Sequence, residues 1–359
     1  MTTPPSARRP LCLVCFGTGR PFVPELAALL ADDFEVYRFD LAAGRVYRGA
    51  GLLDERSYGE RHRTAAMTLL RHRRLLARAV VHYHFVHPLY WISRAFVPAG
   101  RSIVHFWGSD VFRIGGTRQR LQRAFIRGAA RVVAPASATA RAVAQRYGLP
   151  EVPVWQLGVG SLPDLAARMA AGPPVAKDTV CIGYNGFREQ QHLRIVETAA
   201  AGLRLLQRDH RIVIPMTYGT PAGYADEVRA ACATAGLEAE VVTAFLPHDE
   251  LVDLRLRTAL MLHFPVSDAF SASMQEVLVG GGVVLAGEWL AYEELADAGG
   301  DLRQLDWSGL QVAVAAFAKT GDASEALPRS ASLVAGVLEQ SAWSTWLPVY
   351  AAEYARLGA

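Results

Sequence analysis

No apolar run in the 359-residue chain reaches the roughly 18 to 20 residues that span a bilayer. The first ten residues are polar and carry Arg8 and Arg9. The apolar stretch behind them, Leu11 to Phe16, is too short for a signal-peptide core, so cytoplasmic residence is the expectation. Cysteine is scarce, with four residues. Cys12 and Cys15 form a C-x-x-C pair, but within a strand they point to opposite faces, and no second pair follows at ligand spacing. Buried thiols are therefore expected, with neither a redox pair nor a cysteine zinc site. Repeats and low-complexity tracts are missing too. Lysine is absent from residues 1–175, where 24 Arg stand against 11 acidic residues, a net charge of +13. The remainder carries 13 basic and 23 acidic residues, a net −10. The first half is thus suited to an anionic partner: a membrane surface, a phosphorylated acceptor or nucleic acid. Base-reading motifs are lacking, so nucleic acid is not expected.

What is present is an alternation of strand and helix signals in two runs. The first predicts strands at Leu11–Phe16, Phe34–Phe39, Val80–Phe85, Ser102–Trp107 and Arg131–Pro135. Helices are predicted at Pro24–Leu30, at about Tyr58–Ala79 and around Thr117–Gly128. A bridge rich in Pro and Gly, 148–174, reads as a linker. The second run predicts strands at Thr179–Tyr184, Arg211–Met216, Glu240–Ala244, Ala259–Phe264 and Val283–Leu285. Helices at Gln190–Gln207, Ala222–Ala235, Asp249–Arg257 and Ser271–Val279 separate them. Such alternation predicts an α/β fold of two Rossmann-like, doubly wound domains facing a cleft, with ligands at the carboxyl ends of the strands. The expected domains are 1–165 and 175–340, with a C-terminal helix over 341–359 packing back on the first.

The sharpest local pattern is Asp268-Ala-Phe270-Ser271-Ala-Ser273-Met-Gln-Glu276, leading to Gly280-Gly281-Gly282. An acid, seven residues and a second acid on a helix start resemble the donor site of GT-B glycosyltransferases. There the first acid lies near the donor sugar, the second binds the ribose, and the helix start faces the diphosphate. Ser273-x-x-Glu276 also reads as a plain capping box. Upstream, Gly183-Tyr-Asn-Gly186-Phe-Arg188 is a glycine loop that lets backbone approach a phosphate, with Arg188 as a charged fork; a βα turn with a surface Arg is the other reading. Gly183-x-x-Gly186-x-Arg188-x-x-x-His192, Ile214-Pro215-Met216-x-Tyr218-Gly219, Tyr224 and Glu227-Val228-Arg229 together resemble bacterial transferases of 4-acetamido-4,6-dideoxy-galactose (Fuc4NAc). That likeness covers most of Thr179 to Glu294. It implies a TDP-linked donor, a polyprenyl-diphosphate-linked acceptor and no catalytic metal or cofactor beyond the nucleotide sugar. Phe245-Leu246-Pro247-His248 falls where such folds cradle the base.

In the first half, Val81-His82-Tyr83-His84-Phe85-Val86-His87 and Val104-His105-Phe106-Trp107-Gly108-Ser109-Asp110 both end predicted strands. They resemble the F-x-H-x-Q and H-x-W-G-[SA]-D segments of the same transferases. Asp110 is the candidate catalytic base, with His84 or His87 as alternatives. Asp110 as a cap, and the histidines as ordinary core residues, are the competing readings. Three histidines in six residues raise the question of a metal, but one carboxylate and no second cluster leave none expected. Gly17-Thr18-Gly19, His87, Trp107 and Ser109 are expected around the acceptor. The basic amphipathic segment Glu60–Ala79 fits either a solvated helix face or an anionic membrane surface.

The resulting expectation is a metal-independent glycosyltransferase. Its donor, UDP- or TDP-linked, is expected on Gly183, Gly186, Arg188, Tyr218, Asp268, Phe270, Ser271, Ser273 and Glu276. Its acceptor is a lipid-linked saccharide or a small molecule. A sugar-nucleotide epimerase on the same plan, or a non-catalytic sugar- or nucleotide-binding protein, are the alternatives. The acid-x7-acid spacing points to retention and the Fuc4NAc likeness to inversion, with inversion preferred.

Overall fold

The computed structural model describes residues 8–17, 22–172, 175–292, 295, 302–320 and 331–359. The chain divides into two compact units, one made of residues up to Gly158 together with Trp343–Ala359, the other of Val159–Ala342.

Among the described residues, the first unit is built on a seven-stranded sheet, β4-β3-β2-β1-β5-β6-β7. Its strands are β1 (Arg9–Cys15), β2 (Phe34–Asp40), β3 (Arg45–Arg48), β4 (Gly51–Glu55), β5 (Val80–His84), β6 (Ser102–His105) and β7 (Arg131–Val133). The five from β2 to β7 are parallel, and β3 and β4 add an antiparallel edge. Helices α1 (Phe22–Leu29), α2 (Arg61–Arg71), α3 (Arg73–Arg78), α4 (Ser109–Phe112), α5 (Gly116–Ile126) and α6 (Ser137–Tyr147) connect them. Strands buried on both faces read as continuous apolar runs: Leu11 and Leu13 join one apolar layer while Cys12 and Val14 join the other.

The edge hairpin β3–β4 carried no sequence expectation, because its residues are largely exposed and charged. The helix expected over Tyr58–Ala79 is two helices. His72, at φ −96° and ψ 15°, divides them, and its ring meets Asp54 of β4 at 2.9 Å. Of the apolar residues there, Leu69 and Leu76 are buried, while Met67 and Leu70 are exposed beside the arginines.

In the second unit the strands are β8 (Thr179–Ile182), β9 (Arg211–Pro215), β10 (Ala239–Val242), β11 (Thr258–His263), β12 (Val283–Gly287) and β13 (Leu302–Leu305). They form a parallel sheet in the order β10-β9-β8-β11-β12-β13. In chain order this is 3-2-1-4-5-6, the doubly wound arrangement whose ligand crevice opens between strands 1 and 4. Here those are β8 and β11. The helices are α7 (Ser161–Ala171), α8 (His192–Leu206), α9 (Tyr224–Thr234), α10 (His248–Arg257), α11 (Ala272–Val279), α12 (Trp307–Thr320) and α13 (Ala331–Ser341). The bridge read as a linker therefore holds an eleven-residue helix, α7, which belongs to the second unit.

The last helix, α14 (Trp343–Gly358), lies in the first unit. Tyr350 donates to the Gln156 carbonyl at 2.9 Å, and the Trp343 indole donates to Glu25 at 3.0 Å. All four cysteines are buried and unpaired. Burial pushes the Cys15 thiol up to about 12, so none of the chemistry of an accessible thiolate is available there.

Candidate functional site

The carboxyl ends of β8 and β11 are joined by a hydrogen-bonded cluster around Asp268. Tyr184, just after β8, donates to one Asp268 oxygen at 3.2 Å. The other oxygen accepts from the Tyr292 hydroxyl and from the Ser271 backbone N–H, both at 2.7 Å. His263, the last residue of β11, sits 2.6 Å from the Tyr292 hydroxyl. Burial works to raise the Asp268 carboxyl, but His263, Tyr292 and the Ser271 amide outweigh it and hold it below its ordinary value. Asp268 is therefore an ionised carboxylate fixed at the switch point of the sheet.

Behind it the chain turns into α11 through Phe270, a non-glycine residue at φ +68°. Such a backbone costs about 1 kcal/mol or more and clusters at ligand clamps. The first-turn N–H groups of a helix have no intrahelical acceptor. At this helix start Ser271 is 8% exposed, and its buried hydroxyl has no hydrogen-bond partner. The loop 183–186 lies opposite, after β8. Gly183 has φ +66°, and a Cβ at Gly186 would fall 1.7 Å from Thr220 Oγ1, so no larger residue fits there. Tyr218 joins this loop: its carbonyl accepts from Gly186 N–H at 2.8 Å, and Asn185 Nδ2 lies 3.4 Å from its hydroxyl. Six of the nine expected donor residues thus gather at the ends of β8, β9 and β11.

Two do not serve as expected. Glu276 is 5% exposed. One of its oxygens accepts from Ser161 Oγ at 2.6 Å and the other from Arg255 Nε at 3.0 Å. Both oxygens of Glu276 thus meet protein partners, which tie α11 to α7 and α10. Ser273 accepts from Arg255 Nη2 at 2.9 Å and faces the same brace. The capping box also falls away, since the helix starts at Ala272 and its N-cap, Ser271, makes no side-chain cap. Arg255 was missed because an arginine in a last helical turn reads as a dipole partner on the surface. Tyr292 lies outside every motif and carried no signal.

Arg188 is half exposed and forms a bidentate pair with Glu227 at 2.8 and 2.5 Å, over the Tyr224 ring at 4.3 Å. Both partners stand in solvent, where such a pair is easily exchanged. Phe245 is 74% exposed. His248 meets Asp164 at 3.2 Å.

In the first unit the expected catalytic residues are buried. Asp110 is 0% exposed. Its oxygens accept from Val86 N–H at 2.6 Å and Trp107 N–H at 2.8 Å. It ties the turn after β5 to the turn after β6, which displaces its reading as a base. Burial raises its carboxyl to about 6 against the pull of those amides. His84 is also 0% exposed, and burial together with His105 lowers it well below the ordinary histidine value. It faces the apolar layer under α14, so it is no base for a substrate.

The switch point of this sheet lies between β1 and β5. There Phe16 and His87 stack, ring centroids 3.8 Å apart and planes at 3°, with the His62 ring 5.6 Å from each. Gly17 has φ +95° and Arg61 lies close by; Thr18 and Gly19 fall outside the described residues. Burial, His62, Arg118 and Arg61 lower His87 to about 4. Its Nδ1 accepts the Leu89 N–H at 3.2 Å, so the neutral ring carries its proton on Nε2. Trp107 is partly exposed and stands edge-on to Phe22, His84 and Phe85. Ser109 opens α4 and is partly exposed.

No protein-family model matches the chain, and no curated protein matches it. Solved structures do. The α,α-trehalose-6-phosphate synthase of Burkholderia multivorans aligns at TM-score 0.72 and 14% identity, over 98% of this chain and 97% of that one. Sucrose-phosphate synthase from Thermosynechococcus elongatus aligns at 0.69 and 14%, over 98% and 99%. The Anabaena protein HepE, solved with UDP and glucose, aligns at 0.64 and 15%, over 96% and 99%. With the two strand orders above, these likenesses show that the chain has the two-domain α/β fold of the GT-B glycosyltransferases.

Proposed function

We propose that the protein is a glycosyltransferase whose nucleoside-diphosphate sugar binds the second unit at the carboxyl ends of β8 and β11. The observation that carries this reading is the buried, unpartnered Ser271 hydroxyl at the start of α11, beside the Asp268 cluster. A pyrophosphate there meets helix-start amides, the Ser271 hydroxyl and the backbone of 183–186, and draws Arg188 away from Glu227. The same groups stabilise the departing diphosphate, so the transfer itself needs no metal or further cofactor. Asp268 directs a carboxylate at the sugar hydroxyls, and exposed Phe245 offers a stacking face for a uracil or thymine. UDP is the nucleotide of the HepE complex, while the Fuc4NAc likeness favours TDP.

The first unit then takes the acceptor at the ends of β1 and β5. Arg61, His62 and Arg118 surround His87 there, which suits a phosphorylated acceptor, either a sugar phosphate or a polyprenyl-linked saccharide. His87 presents a proton on Nε2, so it donates to an acceptor oxygen. With Asp110 and His84 buried, none of the expected residues supplies a base, which favours retention over the inversion expected from sequence.

The test is binding of UDP and TDP by calorimetry. Ser271→Ala removes a hydroxyl with no protein partner, so stability should stay unchanged while diphosphate affinity falls about tenfold, the worth of a hydrogen bond to a charged group. Wild-type protein that binds neither nucleotide would overturn the reading. Sugar-nucleotide isomerisation without acceptor would replace it with an epimerase. Product NMR decides the anomeric outcome.

A further inference from the structure

The first unit holds a second polar cluster, which plays no part in the transfer proposed above. Strand alternation puts His82 and His84 on one face of β5, and the β5–β6 register sets His105 beside His84. The rings of His82 and His84 lie 3.9 Å apart, and His105 stands 5.6 and 5.7 Å from them. One nitrogen of each falls within 4.8 Å of the others. All three residues are 0% exposed. Five of the six ring nitrogens meet no hydrogen-bond partner. The sixth, His82 Nδ1, lies 2.6 Å from the Tyr354 hydroxyl of α14.

A neutral imidazole brings one donor and one acceptor. Three of them in an apolar layer, beside Leu13, Trp155 and Tyr350, are costly unless something takes up their lone pairs. We propose that His82, His84 and His105 together bind one divalent transition-metal ion, zinc by ligand type, in the interior of the first unit.

Burial and mutual repulsion keep these rings uncharged, which is the state a metal ligand needs. For His105 a backbone contact with Trp155 works the other way, but neither of its nitrogens attains hydrogen-bond geometry. The Tyr354 contact occupies His82 Nδ1 and leaves Nε2 as the ligand atom, the outer hydrogen bond that orients a metal-bound histidine. A tetrahedral zinc with Zn–N of about 2.0–2.1 Å sets ligand nitrogens about 3.4 Å apart, within reach of small ring rotations. The fourth position takes a water or small anion. Full burial makes the ion a structural tie between β5 and β6, captured as the unit folds. The expectation of no metal weighed His82, His84 and His87 alone; His105 lies 21 residues beyond His84, and only the register joins them.

The test uses the full chain without an affinity tag, expressed with zinc or cobalt in the medium and dialysed against a weak chelator. One equivalent of metal per chain is expected, with the visible bands of tetrahedral cobalt. The folded variants His84→Gln and His105→Gln should retain it at least about tenfold more weakly. If they do not fold, X-ray absorption of zinc in the wild type decides, with imidazole nitrogens at about 2.0 Å expected. A wild type without stoichiometric metal, a metal shell lacking imidazole, or undiminished binding in a folded variant would overturn the proposal. None of these outcomes bears on the nucleotide site.

Discussion

The two units bury polar groups at the same place, the carboxyl ends of their central parallel strands, and treat them differently. In the second unit Asp268 and Glu276 have both oxygens engaged, and the groups left over around them include the Ser271 hydroxyl, His263 Nδ1 and Gln275 Oε1. In the first, Asp110 is saturated by two backbone amides, and the groups left over are histidine nitrogens. Completed buried networks hold loops and helices in place; incomplete ones mark where a ligand belongs. Asp110 and Glu276, carboxylates expected to serve chemistry, are each held by protein partners on both oxygens.

The largest expected effect comes from breaking the frame of the second unit. Glu276→Ala leaves Arg255 charged at 2% exposure, so denaturant unfolding should show a loss of about 3–5 kcal/mol. The paired change Arg255→Met with Glu276→Leu should recover most of it. Were Glu276 a ribose ligand instead, the single variant would lose nucleotide affinity and keep its stability.

The corresponding frame in the first unit should announce itself through pH. Asp110 titrates near 6 in the folded chain and near 3.9 when unfolded. The folded state therefore holds the extra proton between those values. The stability this group contributes is complete below about 4 and lost as pH rises through about 6. The stability difference between wild type and Asp110→Asn should thus shift by on the order of 3 kcal/mol between pH 4 and 7, against the wild type. The neighbouring phenols stay outside that window: Tyr90 and Tyr147 are both pushed upward by burial. A flat difference would mean that Asp110 is solvated.

A smaller effect sharpens the contrast between frame and ligand group. Arg188 and Glu227 share an exposed pair, so neither variant should alter stability measurably. Arg188→Ala should weaken nucleotide-diphosphate binding severalfold, and Glu227→Ala should strengthen it slightly by freeing the guanidinium. Equal loss in both variants would place the pair in the frame.

Much of the fold was legible. The strand expected at Arg211–Met216 is β9, and the helix expected at Asp249–Arg257 is α10, each within a residue of its end, because apolar periodicity is a property of adjacent residues. The exposed β3–β4 hairpin and the Ala-rich helix α6 offer little such contrast and carried no expectation. Of the residues expected to bind a donor, Gly183, Gly186, Tyr218, Asp268, Phe270 and Ser271 lie together around the ends of β8, β9 and β11. Tyr292 and Arg255 did not announce themselves, since their partners lie 24 and 21 residues away.

By itself the sequence determined the order of strands and helices, the placing of a glycine loop and an acid at two strand ends, and the Arg-rich character of the first half. These depend on residues near one another along the chain. Tertiary structure alone decided which charged groups are open. Ser161 reaches Glu276 across 115 residues, and the β5–β6 register places His105 against His84. A side chain's protonation, partners and access to ligand are set by whatever packs beside it, and packing joins residues that no local spacing connects.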